Sequence, residues 1–126
     1  MKKFFAIFAV MFAVIFVGKV SAQEVYVGTT GGLDFHVETN SIYLINSEEF
    51  YVNVRKYNAN GSLNNNNEWK FYVGTFDGES APIHLWYFDY YLSGKCNPVQ
   101  GNKIAKEILR VCQRYDSRIS TRYDYK

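Results

Sequence analysis

EWKFYVGTF (residues 68–76) and PIHLWYFDYYL (82–92) are the two runs on which the fold turns. Both crowd aromatic and β-branched residues into short segments, the composition that suits a pleated, half-buried surface. Asp77-Gly78 separates them, a pair that favours tight hairpin turns. They therefore read as an antiparallel hairpin. Side chains alternate between faces along a strand. The second run places Ile83, Leu85, Tyr87, Asp89 and Tyr91 on one face and His84, Trp86, Phe88, Tyr90 and Leu92 on the other. A strand with rings on both faces is either covered on both sides or leaves one side for something to bind.

The same alternation extends towards the N-terminus. EVYVGTT (24–30) is a strand that stops at Gly31-Gly32, and LDFHV (33–37) is its hairpin partner. ETNSI (38–42) reads as a short turn, because Thr39, Asn40 and Ser41 hydrogen-bond readily back to the chain. EFYVNVRKY (49–57) directs Phe50, Val52 and Val54 to a core and Tyr51, Asn53 and Arg55 away from it. NANGSLNNNN (58–67) is polar and rich in turn residues, which predicts the longest loop.

Towards the C-terminus the period changes. In CNPVQGNKIAKEILRVC (96–112) and the residues after it, Ile104, Ile108, Val111 and Tyr115 recur at helical spacing with Ala105, Leu109 and Cys112 beside them. Asn102 is a natural N-cap for a helix over 102–115. The expected fold is α+β: an antiparallel sheet of five or six strands with one C-terminal helix packed on one face. Residues 116–126 lose the apolar stripe and read as a polar, basic tail. Basic residues at every fourth position from Lys106 to Lys126 would form a ridge if the helix continued.

The chain opens on two lysines, an apolar run from Phe4 to Val17 and the small residues Ser21 and Ala22. This pattern predicts a secretory signal peptide over 1–22, cleaved after Ala22. The run is shorter than the ~20 residues a spanning helix needs. The expected product is a single exported domain over 23–115 plus the tail, secreted or periplasmic, with no membrane span. Of 14 basic residues three lie in the leader, leaving 11 against 12 acidic ones. Residues 23–102 carry a net charge of −5 and residues 103–126 a net charge of +4. A near-neutral exported domain is not expected to bind nucleic acid.

Cys96 and Cys112 are the two cysteines of the chain. Exported proteins meet oxidising conditions, in which cysteines of small domains usually pair. Cys112 lies ~15 Å along the helix from Asn102, and the six steps from Cys96 to Asn102 span up to ~20 Å. An intramolecular Cys96–Cys112 disulfide is the expectation. His36 and Glu38 share a predicted strand face, but His84 is far away in sequence, so no clustered metal-ligand set is present and no metal or cofactor is expected. No serine sits in a GxSxG turn, and GTTGG (28–32) is too short for a phosphate cradle, so no catalytic residue is assigned.

In order along the chain, EVYVGTT, TNSI, the aromatic hairpin and NPVQGNKIAKEILRVC resemble the bacterial surface-adhesin protein E family. In that family the first cysteine lies earlier, in a strand, whereas here Cys96 directly precedes the helix. The resemblance implies small exported proteins with an antiparallel sheet and a C-terminal helix that bind host or envelope proteins. The expected function is a non-catalytic, adhesin-like binding module for a protein partner, with an inhibitor of an envelope or host hydrolase and a small secreted hydrolase as alternatives. The two aliphatics Ile83 and Leu85 suit a core, which leaves His84, Trp86, Phe88 and Tyr90 as the candidate binding face, with Trp86 its anchor. The competing outcome is that these four face the core.

Overall fold

A computed structural model describes residues 23–77, 82–90 and 92–123, without the side chains at 76, 77, 82 and 83. The signal peptide and its cleavage site, the Gly78 end of the hairpin turn, the side chain of Ile83, Tyr91 and the last three residues of the tail lie outside the described residues. Six strands succeed one another: β1 (Glu24–Thr30), β2 (Leu33–Asn46), β3 (Glu49–Tyr57), β4 (Leu63–Asp77), β5 (Pro82–Tyr90) and the short β6 (Asn97–Pro98). They form one antiparallel sheet in the order of the chain, as consecutive hairpins dictate. A single 3-10 turn, Val99–Gly101, leads into α1 (Lys103–Tyr115). The sheet curls about this helix, so the fold is the expected α+β arrangement.

Asn102 caps α1 by accepting from the Ala105 N–H at 2.9 Å. The apolar stripe of α1 then turns inward, burying Ala105, Ile108, Leu109, Val111 and Cys112. Tyr115, the last member of the predicted stripe, is instead 48 % exposed. Contacts of α1 with the sheet run mainly to β1 and β2. Closest approach is at Gly28, where φ is +152° and a Cβ would stand 2.6 Å from Ile104 Cδ1. The bulge between Tyr26 and Gly28 turns both Val27 and Gly28 towards the helix side.

Phe50, Val52 and Val54 are fully buried, as their alternation requires. Two expected irregular segments are strand. Residues 38–42 form no chain reversal, because β2 runs through them to Asn46 with a register shift between Glu38 and Tyr43. Ser41 bonds to the backbone as its chemistry suggests, giving its Oγ–H to Glu38 O at 2.6 Å and accepting the Asn53 N–H at 2.8 Å. Those bonds bridge a bulge rather than close a turn. Of residues 58–67, the turn uses the first five, with Asn58 N–H donating to Ser62 O at 2.8 Å. From Leu63 onward the chain is strand, and after a register shift at Asn64 the asparagines pair with β3, Asn65 opposite Lys56 and Asn67 opposite Val54. A neighbouring ladder satisfies the backbone of an asparagine as well as that of a valine.

The two faces of β5 are the reverse of those expected. Trp86 is 0 % and Phe88 2 % exposed, so neither belongs to an open binding face. Register decides this: Val73 opposes Trp86, Phe71 opposes Phe88 and Trp69 opposes Tyr90. The Trp69 and Phe71 rings join Phe50 on the helix side, with Phe50 and Phe71 stacked at 5.2 Å and Phe50 edge-on to Trp86 at 6.0 Å. A thirteen-residue helix cannot fill the hollow of a curled six-stranded sheet with aliphatics alone. Large rings fill the rest.

The tail folds back instead of extending. Asp116 ends the helix, and Arg118 turns to pair with it at 2.8 Å, which breaks the basic ridge. Ile119 is buried, Ser120 N–H reaches Ser47 O at 2.8 Å, and Tyr123 Oη–H reaches Glu48 Oε2 at 2.9 Å. These contacts anchor the tail on the β2–β3 turn.

Candidate functional site

The sheet face turned away from α1 carries the other half of every alternating strand. Tyr26, His36, Tyr43, Tyr51, Arg55, Tyr57, Lys70, Tyr72 and Tyr87 lie there with Glu24, Glu38 and Glu49, held by register across β1 to β5. Tyr26 is 56 % and Tyr43 64 % exposed. The Tyr43 and Tyr51 rings stand 6.5 Å apart, and Tyr72 stacks on Tyr87 at 5.8 Å. Gly74 makes room for that stack, since a Cβ there would meet the Tyr87 ring at 2.9 Å.

Charged groups fix the rings in place. Arg55 donates to Glu24 at 2.8 Å and to Glu38 at 3.4 Å, bridging β1, β2 and β3. Tyr57 Oη–H donates to the other Glu24 oxygen at 2.7 Å, and that bond keeps the phenol protonated above its ordinary range. His36 lies edge-on to Tyr57 at 4.9 Å and to Tyr26 at 5.6 Å. Lys70 pairs with Glu49 at 3.3 Å and sits over the Tyr72 ring at 5.2 Å. Long side chains tied at both ends lose little further freedom on binding a partner.

Residues 92–96 fold over one end of this face. Asp89 accepts Gly94 N–H at 2.7 Å and both Ser93 N–H and Oγ–H at 2.9 and 3.0 Å. Burial alone would raise the Asp89 pKa, but these bonds and the nearby Lys70 charge outweigh it and hold the carboxyl below its ordinary value. The same segment sets Cys96 Sγ 2.6 Å from Tyr72 Oη. Burial, then the contact with Cys96, pushes the Tyr72 phenol well above its ordinary range.

That position excludes the expected disulfide. Both cysteines are free thiols, Cys96 exposed and Cys112 buried. Cys96 sits on the outer face beside Tyr72, whereas Cys112 points from α1 into the core, so the sheet stands between them. Reach along the chain was sufficient, but the segment ran to the other side of β5 before returning to the helix. Burial raises the Cys112 thiol far above its usual pKa, which makes it inert.

Of the four residues expected to form the binding face, Trp86 and Phe88 are core, and His84 and Tyr90 flank them on the same side as exposed ends. His84 faces Tyr123 of the returning tail at 5.9 Å, and Tyr90 tilts over Trp69 at 5.3 Å. The outer tyrosines were missed as a group, although alternation from Phe50, Val52 and Val54 had already sent Tyr51 and Arg55 outward. Hairpin register carries the same assignment to the neighbouring strands. Among the described residues no three His, Cys, Asp or Glu side chains gather as a metal site, and no helix is long and apolar enough to cross a membrane. No family model, curated protein or solved structure matches the chain.

Proposed function

We propose that this chain is an exported, non-catalytic binding module that engages a protein partner in the cell envelope or at the cell surface through its helix-free sheet face. One observation carries the reading. Six tyrosines, Tyr26, Tyr43, Tyr51, Tyr57, Tyr72 and Tyr87, share an outer face that, among the described residues, no other element covers apart from the 92–96 segment at one end. Tyrosine offers broad contact area with a polar tip and little rotamer entropy, the chemistry of protein-recognition surfaces. By register the face also holds the carboxylates of Glu24, Asp34, Glu38, Glu49, Glu68 and Asp89 against the cations Arg55 and Lys70. Its partner is therefore a protein presenting lysine and arginine, whose cations sit over tyrosine rings and beside carboxylates. The resemblance to the surface-adhesin protein E family agrees with a role in protein binding.

Capture from envelope and host-surface extracts, run in parallel with the purified domain and its Tyr43→Ala/Tyr51→Ala variant, tests the proposal. A specific partner held by the parent and released by the variant, with unchanged thermal midpoint, supports it. A loss of at least ~2 kcal/mol in binding is expected if these rings are hot spots. A partner that the variant holds equally well overturns the assignment to this face.

A further inference from the structure

Register arranges the carboxylates of the outer face in a line. Glu24 stands opposite Glu38, Glu38 opposite Asn53, and Asn53 opposite Glu68. The four form one row that crosses β1 to β4 at right angles to the strands, and three strand spacings of ~4.8 Å make it ~14 Å long. Arg55 pairs with Glu24 and Glu38, while Glu68 is exposed at the far end, so three carboxylates share one cation. Tyr51 lies two residues from Asn53 along β3 and opposite Tyr43, which places that tyrosine pair in the next row, ~7 Å away.

On the other side of the molecule, Lys103, Lys106, Arg110 and Arg114 recur along α1 at intervals of three, four and four. That spacing holds them on one side of the helix, away from the buried stripe of Ala105, Ile108, Leu109 and Cys112. At 1.5 Å per residue this ridge is ~16 Å long. Lys103, Arg110 and Arg114 are exposed and Lys106 is half-buried. Glu107 is the only acidic residue of α1, and it pairs with Arg110 at 2.7 Å, so the ridge keeps a net charge of +3.

We propose that a second copy of this chain is a partner of the outer face: the basic ridge of α1 in one copy lies across the Glu24–Glu38–Glu68 row of the next. This names an occupant for the face already assigned to protein binding, and it rests on that assignment. Ridge and row are similar in length and opposite in sign, and cations on the flank of the ridge stand over the Tyr43 and Tyr51 rings beside the row. The two surfaces lie on opposite sides of one molecule. The contact is therefore head-to-tail, each addition leaves one front and one back unfilled, and the product is an open chain of copies rather than a closed dimer.

Sedimentation velocity of the purified exported protein reads the assembly. At ~0.01 M salt, where charges act over ~30 Å, the parent forms a concentration-dependent series of oligomers; at ~1 M, where they act over ~3 Å, it is monomeric. Glu68→Lys neutralises the front row, and Lys103→Glu/Arg114→Glu reverses the ridge, all at exposed positions. Each variant alone, with its thermal midpoint unchanged, associates at least about tenfold more weakly than the parent. Mixed in equal amounts, the two form a dimer and nothing larger, because only the intact back of one meets the intact front of the other. A parent that is monomeric at low salt, oligomers that persist at ~1 M salt, or a mixture that stays monomeric overturns the inference. Release of a captured partner by Tyr43→Ala/Tyr51→Ala is read separately, so the reading of the face stands or falls independently of self-association.

Discussion

Trp86 shows how one residue changes meaning with its surroundings. In isolation an indole on a strand with two apolar faces suits an interface anchor, yet here it is fully buried against Phe50. Trp86→Ala is therefore expected to cost ~3–5 kcal/mol of stability, measured by denaturant unfolding, as large cavities in aromatic cores do. The cysteines make a second case. Cys96 is exposed and Cys112 enclosed, so a thiol reagent labels one cysteine in the native protein and both in denaturant. Cys96→Ser is expected to cost less than ~1 kcal/mol, against the ~2–5 kcal/mol that follows loss of a native disulfide. Equal unfolding curves with and without reductant check the same point.

Between elements, the tightest fit is that of α1 on β1. Because a Cβ at residue 28 would stand 2.6 Å from Ile104 Cδ1 on a backbone with φ of +152°, Gly28→Ala forces the helix outward. A loss of ~1–3 kcal/mol is expected from overpacking. Gly28→Ala combined with Ile104→Ala should recover part of it if the clash is the cause, read by thermal unfolding of the single and double variants. The clasp of residues 92–96 on β5 depends on Asp89 instead. Its carboxyl is held below the ordinary pKa, so its contribution is present above the unfolded value of ~3.9 and is lost as pH falls through the folded one. Asp89→Ala should lower stability by ~1.5–3 kcal/mol at neutral pH, since bonds to a charged acceptor are lost. The gap between parent and variant should narrow in unfolding experiments taken progressively into acid.

Across the whole molecule, charge is divided between two sides. Among the described strand residues the helix-free face carries six carboxylates against two cations, whereas α1 exposes Lys103, Arg110 and Arg114 on its outer side. The uneven charge along the chain thus becomes an acidic front and a basic back, because the helix lies on one side of the sheet. A basic partner steered to the front should associate more slowly as salt rises past ~0.15 M, where the screening length is ~8 Å, while dissociation changes less. Stopped-flow association rates at several ionic strengths check this. A rate that is flat with salt would place the partner elsewhere.

By itself, the chain determined the elements whose local pattern was unambiguous. Period two placed β1, β3 and the Phe50, Val52 and Val54 face, and the stripe with its Asn102 cap placed α1, since local alternation, capping and helical spacing need no partner to be read. What the tertiary structure alone decided depends on register and on sidedness. Asn65 to Asn67 are strand because β3 supplies their hydrogen bonds, not because asparagine favours one. Trp86 points inward because β4 pairs Val73 with it and Phe71 with Phe88, a choice that a strand apolar on both faces leaves open. Cys96 and Cys112 lie within reach along the chain and apart in space, because reach counts residues whereas pairing requires both thiols on one side of a sheet.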